Sequence, residues 1–98
     1  IMIVVTGEFG RTYKINANAG RDHWPKLSPL MISGGDFDMG YAVGASTSKA
    51  EEPKTDPVNP QNLTATLLKH FGVDQHTQRL DMGGRPRYFV DVGTKSIL

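Results

Sequence analysis

The chain contains no cysteine. That absence removes disulfides, thiolate zinc sites and cysteine nucleophiles together, so any metal here must use His, Asp, Glu or backbone oxygen. An excess of one charge is missing too: 11 Lys and Arg stand against 10 Asp and Glu, a net charge of +1. The cations are spread along the chain rather than striped along one face, which argues against nucleic acid and against an electrostatic membrane partner. No stretch approaches the roughly 20 apolar residues of a spanning helix. There are no internal repeats and no low-complexity segment.

What is present is enough for one small domain. The 98 residues are 38% hydrophobic, and with the 11 glycines the apolar share reaches the globular norm. Ile1 opens directly into an uninterrupted apolar, mostly β-branched run ending at Thr6, which reads as a buried strand. A strand of this type needs neighbours on both sides, and parallel neighbours would have to precede it. The expectation is therefore an α/β fold of which residues 1–98 form the C-terminal part of a single domain.

Residues 7–29 read as a long connection, and Leu30 to Ser33 as a second short strand. Gly34-Gly35 and Gly40 bracket a turn, with Tyr41 to Ser46 as the returning strand of a hairpin. Thr47 to Asp56 is polar and reads as solvated loop. The clearest element follows: Asn59 is a good N-cap, Pro60 suits the first helical position, and Leu63, Leu67, Leu68 and Phe71 share a face. Gly72 ends this helix, with Val73 placed to pack back on it. Asp74 to Arg87 reads as a linker, and Tyr88 to Val92 as a final short strand.

Chemistry concentrates behind the first strand, where open α/β sheets bind their ligands. The run Gly7-Glu8-Phe9-Gly10-Arg11-Thr12 and the run Arg21-Asp22-His23-Trp24-Pro25 crowd carboxylates, arginines, an imidazole and an indole into one connection. Imidazole plus carboxylate suits Zn²⁺, Mn²⁺ or Fe²⁺, with Glu8 as a further ligand to Asp22 and His23. Neighbouring side chains on a strand point to opposite faces, so Asp22 and His23 meet one ion only from a loop or strand end. Arg11 and Arg21 either clamp an anion bidentately or pair with Glu8 and Asp22. The spacing Gly7-x-x-Gly10-Arg11-Thr12 is no Walker loop, since the glycine-lysine ending is absent. Trp24 beside Pro25 reads as a packing anchor; a stacking role against a sugar or base has no second aromatic beside it in sequence. His70, His76, Glu51 and Glu52 read as surface residues, and Ser46, Thr47 and Ser48 lack an activating histidine.

The strings Gly7 to Thr12, Ile15-Asn16 and Gly20 to Pro25 resemble the C-terminal part of the DUF1501 family, whose members are related to sulfatases and alkaline phosphatases. The resemblance continues through Gly34-Gly35, Gly44-Ala45-Ser46, Pro57-Val58-x-Pro60, Phe71-Gly72-Val73-Asp74 and Gly84-Arg85-Pro86. It implies an alkaline-phosphatase-like three-layer sandwich, of which this chain supplies a few strands, one helix and long loops. It also implies a divalent metal ion (Zn, Ca, Mg or Mn) held by Asp22, His23 and Glu8, with Arg11 and Arg21 as anion-binding or supporting groups. The substrate would be a small anionic ester, and the partner the remainder of the same domain. The nucleophile would lie upstream of Ile1, so the piece would not act alone, and the setting would be periplasmic or exported.

The leading expectation is thus the metal-bearing portion of a sulfatase- or phosphatase-like hydrolase, in which the metal polarises the ester oxygen. The alternative is a non-catalytic exported binding or structural module that keeps the same fold, its loop stapled by Glu8–Arg21 and Asp22–Arg11 pairs. The hydrolase reading requires the heads of Glu8, Asp22 and His23 to approach within roughly 4 to 5 Å of one another.

Overall fold

A computed structural model describes all 98 residues and shows four two-stranded antiparallel ribbons and one helix. The chain divides into two compact units. One holds Ile1–Gly35 with Met39–Pro57, the other Asp36–Asp38 with Val58–Leu98.

In the first unit β1 (Met2–Thr6) pairs antiparallel with β4 (Leu30–Gly34), in the register Met2 to Gly34 and Thr6 to Leu30. Both strands fall where the sequence puts them, but their partnership is different from the one expected. The second strand turns to β1 rather than to residues 41–46, and the Gly35 amide closes the end of the ribbon on the Ile1 carbonyl at 2.9 Å. Apolar side chains pair across this ribbon on both of its faces: Val4 faces Ile32, and Val5 faces Met31. One face is half-buried. The other leaves Ile3 54%, Val5 52% and Met31 55% exposed.

Between these strands the chain makes an excursion. The strands β2 (Gly10–Arg11) and β3 (His23–Trp24) pair as Gly10 with Trp24 and Arg11 with His23. Gly10 is required by a close approach, because a Cβ there would run into the carbonyl oxygen of Leu27. Of the expected strand Tyr41–Ser46 only β5 (Ala45–Ser46) forms, and it pairs with β6 (Pro53–Thr55) inside the segment expected to be plain loop, interrupted by a register shift between Ala45 and Ser46. Its turn is fixed locally, the Thr47 hydroxyl taking the Glu51 amide at 3.2 Å and the Thr47 carbonyl the Ala50 amide at 2.9 Å. Those short-range bonds make order from a polar sequence that carries no strand periodicity.

The second unit is built on α1 (Pro60–His70). Its start is a capping box: Asn59 Oδ1 accepts the amides of Gln61 and Asn62, and Asn62 Oδ1 accepts the Asn59 amide at 2.8 Å. Its end is a Schellman motif. The Val73 amide reaches the Leu68 carbonyl at 2.9 Å, the Gly72 amide reaches Lys69 at 3.2 Å, and Gly72 takes a φ of 69°.

The buried side of this helix is not the leucine face. Leu63, Leu67 and Leu68 are half-buried and Phe71 is 72% exposed, whereas Ala65 and Thr66 are buried. A polar stripe does the docking. Asn62 Nδ2 donates to the Lys95 carbonyl at 2.9 Å, Thr66 Oγ1 accepts the Ile97 amide at 2.8 Å, and Lys69 Nζ donates to the Leu98 carbonyl at 2.9 Å. Gln61 extends the row by binding both the Asp91 carboxylate and the Asp91 amide. Residues 91–98 are thereby strapped along the helix, beside the buried Val90.

A last ribbon, β7 (Gln78–Leu80) with β8 (Pro86–Tyr88), forms largely inside what reads as a linker, and the expected strand Tyr88–Val92 does not continue past Tyr88. Asp81 makes its turn. One carboxylate oxygen accepts the Gly83 and Arg85 amides at 2.9 Å, and the other meets Arg87 Nε at 3.0 Å in the chain's one ion pair.

Candidate functional site

The excursion between β2 and β3 is organised by four side chains. Asn16 is its hub: Oδ1 accepts the amides of Asn18 and Gly20 at 3.0 Å, and Nδ2 donates to Asp22 Oδ1 at 3.0 Å. Arg21 Nη1 donates to the carbonyls of Thr12 and Tyr13 at 2.8 Å, and Arg11 Nη1 to the Arg21 carbonyl at 3.1 Å. The Thr12 hydroxyl accepts the Asp22 amide and donates to the Lys14 carbonyl. Neither arginine pairs with Glu8 or Asp22, so the expected Glu8–Arg21 and Asp22–Arg11 staples do not form. The arginines hold backbone carbonyls instead, which an exposed guanidinium does with several well-directed donors.

Of the three candidate metal ligands, Glu8, Asp22 and His23 are all exposed, and the structure does not draw them together. The latter two, at the start of β3, have different partners. Asp22 lines a cavity together with Trp24, while His23 stacks its ring on Phe9 at 4.0 Å between centroids. No group of three His, Asp or Glu side chains anywhere in the chain is arranged to hold an ion.

The cavity has a volume of about 450 Å³ and lies between the tip of the excursion and the turn at Ala50 and Glu51. Tyr13, Ile15 and Trp24 give it apolar walls, and Lys14, Asn16, Asp22 and Glu51 give it polar ones. Trp24 is anchored in orientation, its indole N–H donating to the Glu51 carbonyl. The Lys14 and Lys49 ammonium groups each lie 5.7 Å from the centre of the Tyr13 ring. The sequence offered no second aromatic beside Trp24; folding supplies Tyr13 from the opposite limb of the excursion. A periodicity argument has no access to that pairing, because it arises from loop closure.

The family model described as "Protein of unknown function (DUF1501)" matches residues 1–98. The chain belongs to the DUF1501 family. No curated protein and no solved structure matches it. In this DUF1501 chain, the motif residues from Gly7 to Pro25 are thus largely occupied in building one hydrogen-bonded loop. No helix in it is long and apolar enough to cross a membrane.

Proposed function

We propose that this DUF1501 chain is the C-terminal, ligand-contributing portion of an ester hydrolase domain of the sulfatase and alkaline-phosphatase kind. On this reading the nucleophile and further metal ligands come from residues that precede it, and the chain hydrolyses no ester by itself. The observation that carries the reading is the division of labour in the excursion. Arg11, Thr12, Asn16 and Arg21 spend their polar groups on fixing the loop, while the His23 imidazole nitrogens and the Glu8 carboxylate are exposed and make no hydrogen bond within the chain. Such ordering around unspent donor atoms is what a site completed by other residues requires. The β1–β4 ribbon, apolar on both faces, fits the same view, since strands of that composition belong to sheets covered from two sides.

The convergence of Glu8, Asp22 and His23 expected of a hydrolase is not met within this chain, so the reading drops Asp22 as a ligand and rests on His23 and Glu8 contributing to a site that other residues complete. Metal analysis of the whole domain, this chain together with the residues proposed to precede it, and of its His23→Gln and Glu8→Gln variants tests it. Bound divalent metal that falls at least severalfold in His23→Gln supports the proposal, provided the variant keeps its circular dichroism. Equal metal content in all three proteins overturns it.

A further inference from the structure

The cavity between Tyr13 and Trp24 carries an inference that does not depend on metal or ester chemistry. We propose that it binds one neutral hexopyranose unit of a saccharide. Its volume of about 450 Å³ falls within the range of small-molecule sites, which combine apolar and aromatic walls with a few placed polar groups. The walls match a pyranose. The C–H faces of the sugar ring are apolar and pack on aromatic rings, and its hydroxyls are donors that seek carboxylate and amide oxygens.

The acceptors present are Asp22 and Glu51. Asp22 uses Oδ1 on Asn16, and the Glu51 side chain makes no hydrogen bond within the chain, its backbone carbonyl alone taking the Trp24 indole. Lys14 adds one donor to the same walls. The lining groups carry two carboxylates and one ammonium, and Lys49 adds a second ammonium 5.7 Å from the Tyr13 ring, so no net positive charge favours a phosphate, sulfate or uronate over a neutral sugar. The indole is held by its bond to Glu51, and Tyr13 is flanked by Lys14 and Lys49, so the aromatic walls are ordered before a ligand arrives.

Trp24 is the single tryptophan of the chain, which makes it an internal reporter. The protein is titrated with glucose, galactose, mannose and N-acetylglucosamine, and in parallel with AMP and inorganic phosphate, while tryptophan emission is recorded. The expected result is a saturable emission change and reduced acrylamide quenching with at least one of the neutral sugars. The Glu51→Gln variant, altered at an exposed carboxylate that supports nothing in the fold, is expected to weaken that binding by about tenfold. Tyr13→Ala is expected to abolish it, with near-ultraviolet circular dichroism reporting that Trp24 stays ordered. No saturable response to any neutral sugar overturns the proposal, as does a response confined to AMP or phosphate. Unchanged sugar affinity in Glu51→Gln overturns it as well.

Discussion

Replacing Thr66 by valine tests the claim that a polar stripe, and not the leucine face, docks the helix. Thr66 is 0% exposed. Its hydroxyl donates to the Asn62 carbonyl at 2.8 Å and accepts the Ile97 amide at 2.8 Å, with Ser96 Oγ 3.2 Å away. Valine keeps the shape and the helix propensity but strands the Ile97 amide on the half-buried helix surface. An amide left without its acceptor costs about 1–3 kcal/mol, and the extra buried methyl recovers up to about 0.8 kcal/mol of that. The net loss is centred on about 1 kcal/mol, or a fall in Tm on the order of 4–8 °C for a chain of this size. Thermal unfolding followed at 222 nm gives the number, and hydrogen exchange at Ile97 gives its location. The control is Thr64→Val, whose hydroxyl only turns back on the Pro60 carbonyl at 3.1 Å and whose loss is expected to stay within about 0.5 kcal/mol. A Thr66→Val protein with the Tm of the parent, or one in which the Ile97 amide stays protected, would refute the stripe as the docking device.

Gly10→Ala forces a Cβ against the Leu27 carbonyl, so β2 and β3 must separate; tryptophan emission is expected to shift to the red as Trp24 loses its half-buried position, and an unshifted spectrum refutes the close approach. Asp81 is held below the ordinary aspartate value of 3.8, first by the Arg85 amide and then by the Arg87 side chain. A depressed folded value means the hairpin gains from the charged carboxylate above the unfolded pKa and loses that gain as pH falls through the folded one. An NMR titration of the Asp81 carboxyl is therefore expected to give a midpoint below 3.8, with the ribbon fraying only in stronger acid. A midpoint at or above 3.8 overturns this account.

The helix was legible because its signals are local. Asn59, Pro60 and Gly72 each act within a turn of the helix end and do in the fold what their positions announce, whereas Val73 closes the end through its backbone amide and leaves its side chain exposed. The strands Met2–Thr6 and Leu30–Gly34 were legible as strands, but not as partners, since pairing joins residues far apart in sequence and leaves no period in either. The face of the helix was misread at Phe71, because hydrophobicity ranks side chains by transfer to oil. Here the binding partner is a strap of backbone carbonyls and amides, and Asn62, Thr66 and Lys69 satisfy it better than leucine does. The Asp81 turn lies in what reads as a linker, because its flanking strands are short and exposed and carry little alternation. The crowding of Glu8, Asp22 and His23 in sequence was plain; that Asp22 and His23 part company shows only in their partners, Asn16 for the carboxylate and the Phe9 ring for the imidazole, which the sequence does not reveal.

The β1–β4 ribbon has a consequence for how this polypeptide behaves in a tube. A sheet of two strands has two open edges, and nothing in Met2–Thr6 or Leu30–Gly34 carries a charge or a proline to blunt them. Each edge is a row of amides and carbonyls ready to accept another strand, backed by a face of Ile3, Val5 and Met31. The 98-residue polypeptide at high concentration will add copies of itself edge to edge, in the manner of cross-β assembly, and a lysine at Ile3 or Val5 will slow that growth.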